Sequence, residues 1–526
     1  MPDYVTVVLR NRLDEALESA APVLERETLP PYLQKRRWFG AKDQALQSAH
    51  IAYMARLGGE RDMLLAEVEV KTDGATSRWQ LPLSMSWEDE PGAALPSQLA
   101  LARVRRGRRV GLLTDAFSLP VFARQMLSSL ADAQRIDTPE GQIVFEPAAD
   151  KIEVLRRPAD APVMWLTAEQ SNSSLIVDDA VMLKIFRRIS TGEHPEAEMG
   201  RYLTAHNFAN APALLGEVSR IDADGQRHAL AVAQAFVRNQ GDAWTWALNQ
   251  VNRAFDATAS REASAESRGD DIRDYHTLAA AIGRQLGIMH TVLAQPTDDP
   301  AFAPQLASRQ DVEAWIGRAM ELMSGAFDAI AARKDWDDEA VEADARALLA
   351  NREALEQALR RLGESGEGTL MTRIHGDFHL GQVLVASADA YIIDFEGEPA
   401  RPLAERRAKA SPLRDVAGLL RSIDYAAATA LDPKNVIARR VSPGRRQRLI
   451  TRLREGAGKA FMGGYREATG RSGKKGSQLL DFFLIEKAAY EVSYEAANRP
   501  TWLAIPVGGL ARIANRLLAP APGASS

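Results

Sequence analysis

A mixed α+β fold of two lobes, preceded by a smaller α+β unit, is predicted by three features of this 526-residue chain. Strand-like segments dominate up to about residue 240, and helical periodicity dominates thereafter. Within the helical part, one short stretch carries an acid-bearing loop, a hairpin pattern and a second acid. A chain this long exceeds one simple core and divides into roughly two to four domains or lobes.

Residues 1–135 open with a helical segment. Alternating stretches such as Met63 to Val70 and Arg78 to Leu83 follow, predicting the strands of a small α+β unit. Residues 136–240 are again strand-rich, with Val181 to Phe186 and His228 to Val237 as the clearest runs, and read as the smaller of the two lobes. Residues 241–526 have the composition of a mostly helical C-lobe. Within it the polar segment Thr258 to Asp274 reads as an exposed linker or mobile insertion, and Ala519 to Ser526 as a frayed tail. No internal repeat is evident.

The central stretch is His375-Gly376-Asp377-Phe378-His379-Leu380-Gly381-Gln382, followed by Tyr391-Ile392-Ile393-Asp394-Phe395-Glu396-Gly397. Phosphoryl transfer needs an acceptor hydroxyl aligned with the γ-phosphate and divalent ions on the phosphate oxygens, so acidic groups must converge. A kinase catalytic loop carries a base Asp, an amide side chain five residues on, and a metal-binding Asp in a later DFG-type segment. Asp377, Gln382 and Asp394 have that order and spacing, with Asp377 as base and Gln382 and Asp394 as magnesium ligands. The apolar runs Val383 to Val385 and Tyr391 to Ile393, separated by Ala386 to Ala390, predict a hairpin joining loop to acid. His375 and His379 do not form a zinc pattern, because the residues between them belong to the loop; His375 reads as an orienting residue.

Lys184 lies within an apolar strand, where a lone cation is costly unless it faces outward or meets an anion such as an ATP phosphate. Glu198 on a following helix is its predicted partner, with Glu196 as the alternative that helix phase leaves open. A glycine-rich phosphate loop is missing. Glu169 to Ser174 stands in its place, and the polar groups of Ser171, Asn172 and Ser173 are candidates for phosphate contact. A Walker A loop is excluded at Gly470 to Lys475, which lacks the first Gly and the final Ser or Thr and reads as a turn between helices.

Composition excludes several other classes. The chain has no cysteine, so neither disulfides nor thiolate metal sites operate. No basic leader followed by an apolar core begins the sequence, and no apolar run reaches the roughly 18 residues of a membrane span. The expectation is a cytoplasmic protein that binds no membrane. With 65 basic and 70 acidic residues, a net charge of -5 gives no general attraction to nucleic acid.

The chain resembles the maltokinase family, known also from domains fused to trehalose synthase, within the aminoglycoside-phosphotransferase-like group of kinases. The resemblance rests on Leu29 to Gly40, the Glu169 to Ser174 loop, Leu183 to Arg187, the HGDFHLGQ and DFEGEP motifs, Ser411 to Ala417, and Glu486 to Glu495. It implies a bilobal protein-kinase-like fold with an N-terminal cap, and ATP- and Mg2+-dependent phosphorylation of the anomeric hydroxyl of maltose. The product, maltose 1-phosphate, would serve α-glucan (glycogen) synthesis. Trehalose synthase is the implied partner, as a fused domain or a separate subunit. The resemblance makes Gln234, Phe236 and Val237 the hinge whose backbone meets adenine, and Arg414 and Asp415 supports of the catalytic loop. It also makes Arg36, Arg37 and Trp38 structural.

For the acceptor, Glu486, Tyr490 and Tyr494 recur every four residues on a predicted helix from about 478 to 497, and Glu491 and Glu495 form an adjacent row. Aromatic faces beside carboxylates suit a sugar. Glu491, Tyr494 and Glu495, with His379 of the loop, are the predicted acceptor residues; a core tyrosine stripe with exposed glutamates is the competing reading. Trp244 and Trp246 are left between packing and a ligand border. A kinase for another small acceptor, such as glucosamine or an aminoglycoside, and a catalytically silent partner of trehalose synthase are the alternative functions.

Overall fold

The computed structural model describes residues 4–41, 44–59, 61–90, 94–166, 171–260, 265–336, 338–387, 389–432, 435–470 and 474–519. Among positions singled out from the sequence, Glu169, Gln170, Arg471 to Gly473 and the tail from Pro520 onward lie outside them. The chain forms two compact units: residues up to Thr204 with Pro212–Arg238, and Ala205–Ala211 with Asn239 onward.

The first unit contains two seven-stranded sheets. In one, Thr6–Val8, Ala100–Arg106, Arg109–Asp115, Thr76–Trp87, Met63–Thr72 and Leu46–Leu57 lie side by side in that order, and Arg188–Ile189 pairs with Thr76–Trp87. The Met63–Thr72 strand shows how alternation fills both faces. Leu64, Ala66, Val68 and Val70 enter a cluster with Leu17, Leu29 and Leu33 of the N-terminal helices and Phe39 of the turn that follows, whereas Met63 and Leu65 pack with Phe122, Met126 and Leu130 of helix Pro120–Ala131. In the other sheet the order is Arg135–Thr138, Gly141–Pro147, Leu214–Ile221, Arg227–Ala235, Val181–Ile185, Ser173–Val177 and Val163–Trp165. Its inward residues Leu175, Leu183, Val218 and Leu230 share the helix Pro120–Ala131 cluster.

A buried polar knot ties these layers together. Arg187 is 1% exposed and lies 2.9 Å from Asp115, itself fully buried. Arg187 Nε donates to Ser173 Oγ at 2.7 Å, and the guanidinium stacks over Trp38 and Phe117. A buried charge survives only when it is paired and hydrogen-bonded in this way. Arg36 sits over the Tyr32 ring and donates to the Tyr32 carbonyl. Arg36 and Trp38 therefore make packing contacts within this unit.

The second unit is helical. Its core gathers Trp315, Met323 and Phe327 of helix Arg309–Ala332, Phe482, Ile485, Ala489 and Val492 of helix Lys474–Asn498, and Val507 and Leu510 of helix Ala504–Leu518. Helices Ala265–Leu293 and Pro443–Thr469 approach so closely that a Cβ on Gly283 would lie 2.0 Å from the Phe461 carbonyl oxygen, and one on Gly464 2.1 Å from that of Ala280. The Thr258 to Asp274 expectation is corrected here. Helix Ala243–Ala259 continues past Thr258, and helix Ala265–Leu293 takes in residues 265–274, with 261–264 outside the described residues. A polar stretch can be helical as readily as it can be a linker. The predicted hairpin forms from Val383–Ala386 and Asp389–Ile392, paired antiparallel with Val383 opposite Ile392.

Candidate active site

Helix Leu413–Thr429 holds the loop at 375–382 from one face. Asp415 accepts the backbone N–H groups of His375 and Gly376 at 2.8 and 2.9 Å, and faces His290 Nε2 at 3.0 Å. The Tyr465 hydroxyl lies 3.0 Å from the other nitrogen of His290. Burial pushes the Asp415 carboxyl up, but the bonds from His290 and the loop amide outweigh it, leaving the group below its ordinary range. Three residues on, Gly418 lets the loop lie against the helix, since a Cβ there would stand 2.5 Å from the Phe378 carbonyl oxygen. Four residues further, Ser422 Oγ accepts the Leu380 N–H at 3.1 Å. The spacing of Asp415, Gly418 and Ser422 is that of one helix face, and it is the signal by which the last two are readable in the sequence.

The second acid is placed as firmly. Gln382 Nε2 donates to Asp394 Oδ2 at 2.9 Å, and the Ile393 N–H donates to the Gln382 carbonyl at 3.0 Å. His375 Nε2 meets the Ile393 carbonyl at 2.9 Å, while Nδ1 accepts from the Asp377 N–H at 3.4 Å, so this ring orients the loop. Asp394 has φ +67°, a left-handed conformation that Asp tolerates better than most residues and that costs backbone energy. An amide and a carboxylate in contact offer hard oxygen donors, a set that fits magnesium.

Asp377 lines a cavity of about 310 Å³ in the second unit, walled also by Glu398, Arg401, Arg414, Glu486, Lys487 and Tyr490. Lys487 Nζ stands 3.8 Å from Asp377 Oδ1, 3.2 Å from Glu398 Oε1 and 5.0 Å above the Tyr490 ring. Burial alone would lower the Lys487 ammonium, but Glu398 and Asp377 carry it above its ordinary value. Burial alone would raise Glu398, but Lys487 and Arg401 hold it below the usual carboxylate range. Glu486, also lowered against the effect of burial, lies 2.7 Å from Arg318 Nε and 3.8 Å from Arg414.

Helix Lys474–Asn498 thus presents Glu486, Lys487 and Tyr490 to the cavity. The predicted acceptor residues further along it stand elsewhere. Glu491 receives Arg421 through Nε and Nη2 at 2.9 and 2.6 Å, and Glu495 receives Arg499 at 2.6 Å and the Tyr425 hydroxyl at 3.4 Å. Tyr494 is 42% exposed and stacks on Tyr490 with ring centroids 6.0 Å apart. His379 Nε2 lies 4.0 Å from Asp377, and its Nδ1 accepts the Gly381 N–H. Lys487, Glu398, Arg401 and Glu405 were missed: DFEGEP displays Glu398 as part of a motif, but which helix face it meets is set by tertiary packing.

In the first unit, Lys184 pairs with Ser174 across the Ser173–Val177/Val181–Ile185 ladder. Its ammonium lies 3.9 Å from Glu196, which accepts from Gln234 Nε2 at 2.9 Å, so the structure gathers Lys184, Glu196 and Gln234, all buried. Glu198 is buried on the same helix, Pro195–Ala205. Ser173 Oγ is bound by Arg187, whereas Ser171 is exposed and Asn172 half-buried. The Phe236 N–H donates to the Ala180 carbonyl at 2.8 Å; Val237 follows directly in the segment after strand Arg227–Ala235.

Comparison with known proteins adds three findings. Residues 32–118 match the family model of the maltokinase N-terminal cap domain. Over 349 residues, 66% of this chain and 78% of the relative, the sequence is 26% identical to a glucosamine kinase of Mycolicibacterium smegmatis. A glucosamine kinase of Streptacidiphilus jiangxiensis is 28% identical over 307 residues, 58% of this chain, and the chain spans 61% of that relative's length. Among solved structures, glucosamine kinase in complex with glucosamine, ADP and inorganic phosphate superposes with a TM-score of 0.64 at 20% identity, covering 96% of this chain and 100% of that one. A second crystal form of glucosamine kinase gives 0.62. The chain therefore has the mixed α+β fold of the glucosamine kinase structures, and residues 32–118 match a maltokinase-type cap.

Proposed function

We propose that this chain is an ATP-dependent sugar kinase that transfers the γ-phosphoryl group to the anomeric hydroxyl of maltose, giving maltose 1-phosphate. The observation that carries this reading is Asp377 on the wall of a cavity whose Tyr490 face and charged groups suit a polyhydroxylated acceptor. Asp377 orients the acceptor hydroxyl and takes its proton as the oxygen bonds to phosphorus and ADP departs. Gln382 and Asp394 are the residues that would hold Mg2+, which when bound neutralises charge on the phosphate oxygens. Lys184, steadied by Glu196 or Glu198, is assigned to the phosphates together with Ser171, Asn172 and Ser173. The backbone at Gln234, Phe236 and Val237 is assigned to adenine. His379 and the row Glu491, Tyr494 and Glu495 stay as secondary acceptor candidates behind Glu398, Glu486, Lys487 and Tyr490. The division into a cap over 1–135, an N-lobe over 136–240 and a C-lobe over 241–526 belongs to the same proposal, as does trehalose synthase as a partner supplying maltose.

A second reading, a glucosamine kinase, is favoured by what the relatives are called. Magnesium-dependent ATP consumption with maltose, glucose, glucosamine and an aminoglycoside in turn separates the two, with phosphorus NMR of the product. Maltose-dependent formation of an anomeric phosphate supports the first. Transfer to the amino sugar alone replaces it with the second.

A further inference from the structure

We propose that Lys487, anchored by Glu398 beside Asp377, is a charge filter that makes the acceptor cavity select neutral sugars over sugars bearing a protonated amine. The inference rests on the kinase reading above and assigns its specificity to a named pair. The Lys487 ammonium sits 3.2 Å from Glu398 and 3.8 Å from Asp377, where an ammonium on an incoming sugar would find its best partners. The other carboxylates of the cavity are already engaged. Glu398 also receives Arg401, Glu486 lies between Arg318 and Arg414, and Glu405 lies 3.7 Å from Arg401. Asp415 is occupied by His290 and the loop amides. A cationic acceptor reaching Asp377 would therefore compete with Lys487 for Asp377 and Glu398 at close range to that ammonium, and like charges in a partly desolvated pocket repel strongly. Neutral hydroxyls meet no such penalty and can accept from Lys487 or donate to Glu398. Tyr490, under the Lys487 ammonium at 5.0 Å, helps to hold the cation in place while leaving ring surface for a sugar face.

The test compares wild type with Lys487→Met, Lys487→Arg and Glu398→Gln in the full chain. Calorimetric affinities and KM and kcat are measured for maltose, glucose and glucosamine in mildly acidic buffer, where the amine is protonated. Wild type is expected to favour the neutral sugars. Lys487→Met should shift the glucosamine-to-neutral ratio toward glucosamine by about tenfold or more, mainly through affinity and KM. Lys487→Arg should keep the wild-type preference, and Glu398→Gln should move it further toward neutral sugars. Equal loss for all sugars in Lys487→Met with an unchanged ratio would overturn the filter and leave the kinase reading intact. A wild type that binds glucosamine more tightly than either neutral sugar also overturns it. Because binding is read without turnover, an absence of phosphoryl transfer would defeat the kinase reading separately. If Lys487→Met does not fold, the opposite shifts expected of Glu398→Gln and an added Arg401→Met variant decide the matter.

Discussion

Asp377 and Asp394 differ from the surface carboxylates of this chain in how completely their backbones are fixed. The loop at Asp377 hangs on Asp415, and Asp394 takes a left-handed conformation next to Ile393, whose N–H and carbonyl are both hydrogen-bonded. Replacing Asp377 by Asn keeps its size while removing the proton acceptor, so kcat should fall by about 10²–10⁴-fold with nucleotide affinity nearly unchanged. Steady-state kinetics beside nucleotide titration checks this, and a loss of nucleotide affinity of the same size would argue for a structural role. A pH effect follows from Glu398, Glu486 and Asp415, whose folded carboxyls all lie below their ordinary range. A depressed group binds its proton less readily folded than unfolded. Its stabilisation is therefore present above the ordinary carboxylate range and is lost as pH falls through that range toward the folded value. Denaturant unfolding followed below about pH 5 should show stability falling with acid, and Glu486→Gln should flatten that fall. At this scale the sequence shows the acids and their spacing, because motif chemistry is local. It does not show that Lys184 lies beside Glu196, the open alternative, because Glu196 and Glu198 differ only by about half a turn of helix phase, which the neighbours fix.

Two helices do most of the positioning. On helix Leu413–Thr429, Gly418 is the tight point, and Gly418→Ala would drive its methyl against the Phe378 carbonyl. The expected result is a cost of about 1–3 kcal/mol and displacement of the Asp377 loop, read as lower kcat with retained helical circular dichroism. Full activity would show that the loop relaxes without consequence. On helix Lys474–Asn498 the sequence displays two polar-aromatic rows, and both exist. Which row meets the cavity was not legible, because rotation of a helix about its axis is fixed by its neighbours. Here Phe482, Ile485, Ala489 and Val492 enter the core, turning Glu486 and Tyr490 toward Asp377 and leaving Glu491 to Arg421. The misread segment at Thr258 to Asp274 has a related cause, since a polar helical turn lacks the apolar stripe by which helices are recognised.

Across the whole chain, the order of strand-rich and helical regions was legible, because alternation of period two and the helical period persist over long stretches. The polar knot of Arg187, Asp115 and Ser173 was not, since its members are 14 and more residues apart and are joined only by folding. Asp115→Ala would strand the Arg187 charge in the interior of the first unit, at a cost of about 3–5 kcal/mol in denaturant unfolding; a change within a few tenths would mean that the pair is replaceable. No helix among the described residues is long and apolar enough to cross a membrane. The fold is that of small-molecule kinases, and the acceptor is the point on which the cap match and the names of the relatives diverge. The most direct test is phosphorus NMR of the product formed from ATP, magnesium and maltose, with Asp377→Ala as control. The account predicts an anomeric sugar phosphate that appears only with maltose and the intact aspartate. An anomeric phosphate that persists in the mutant, or transfer to glucosamine with none to maltose, would contradict it.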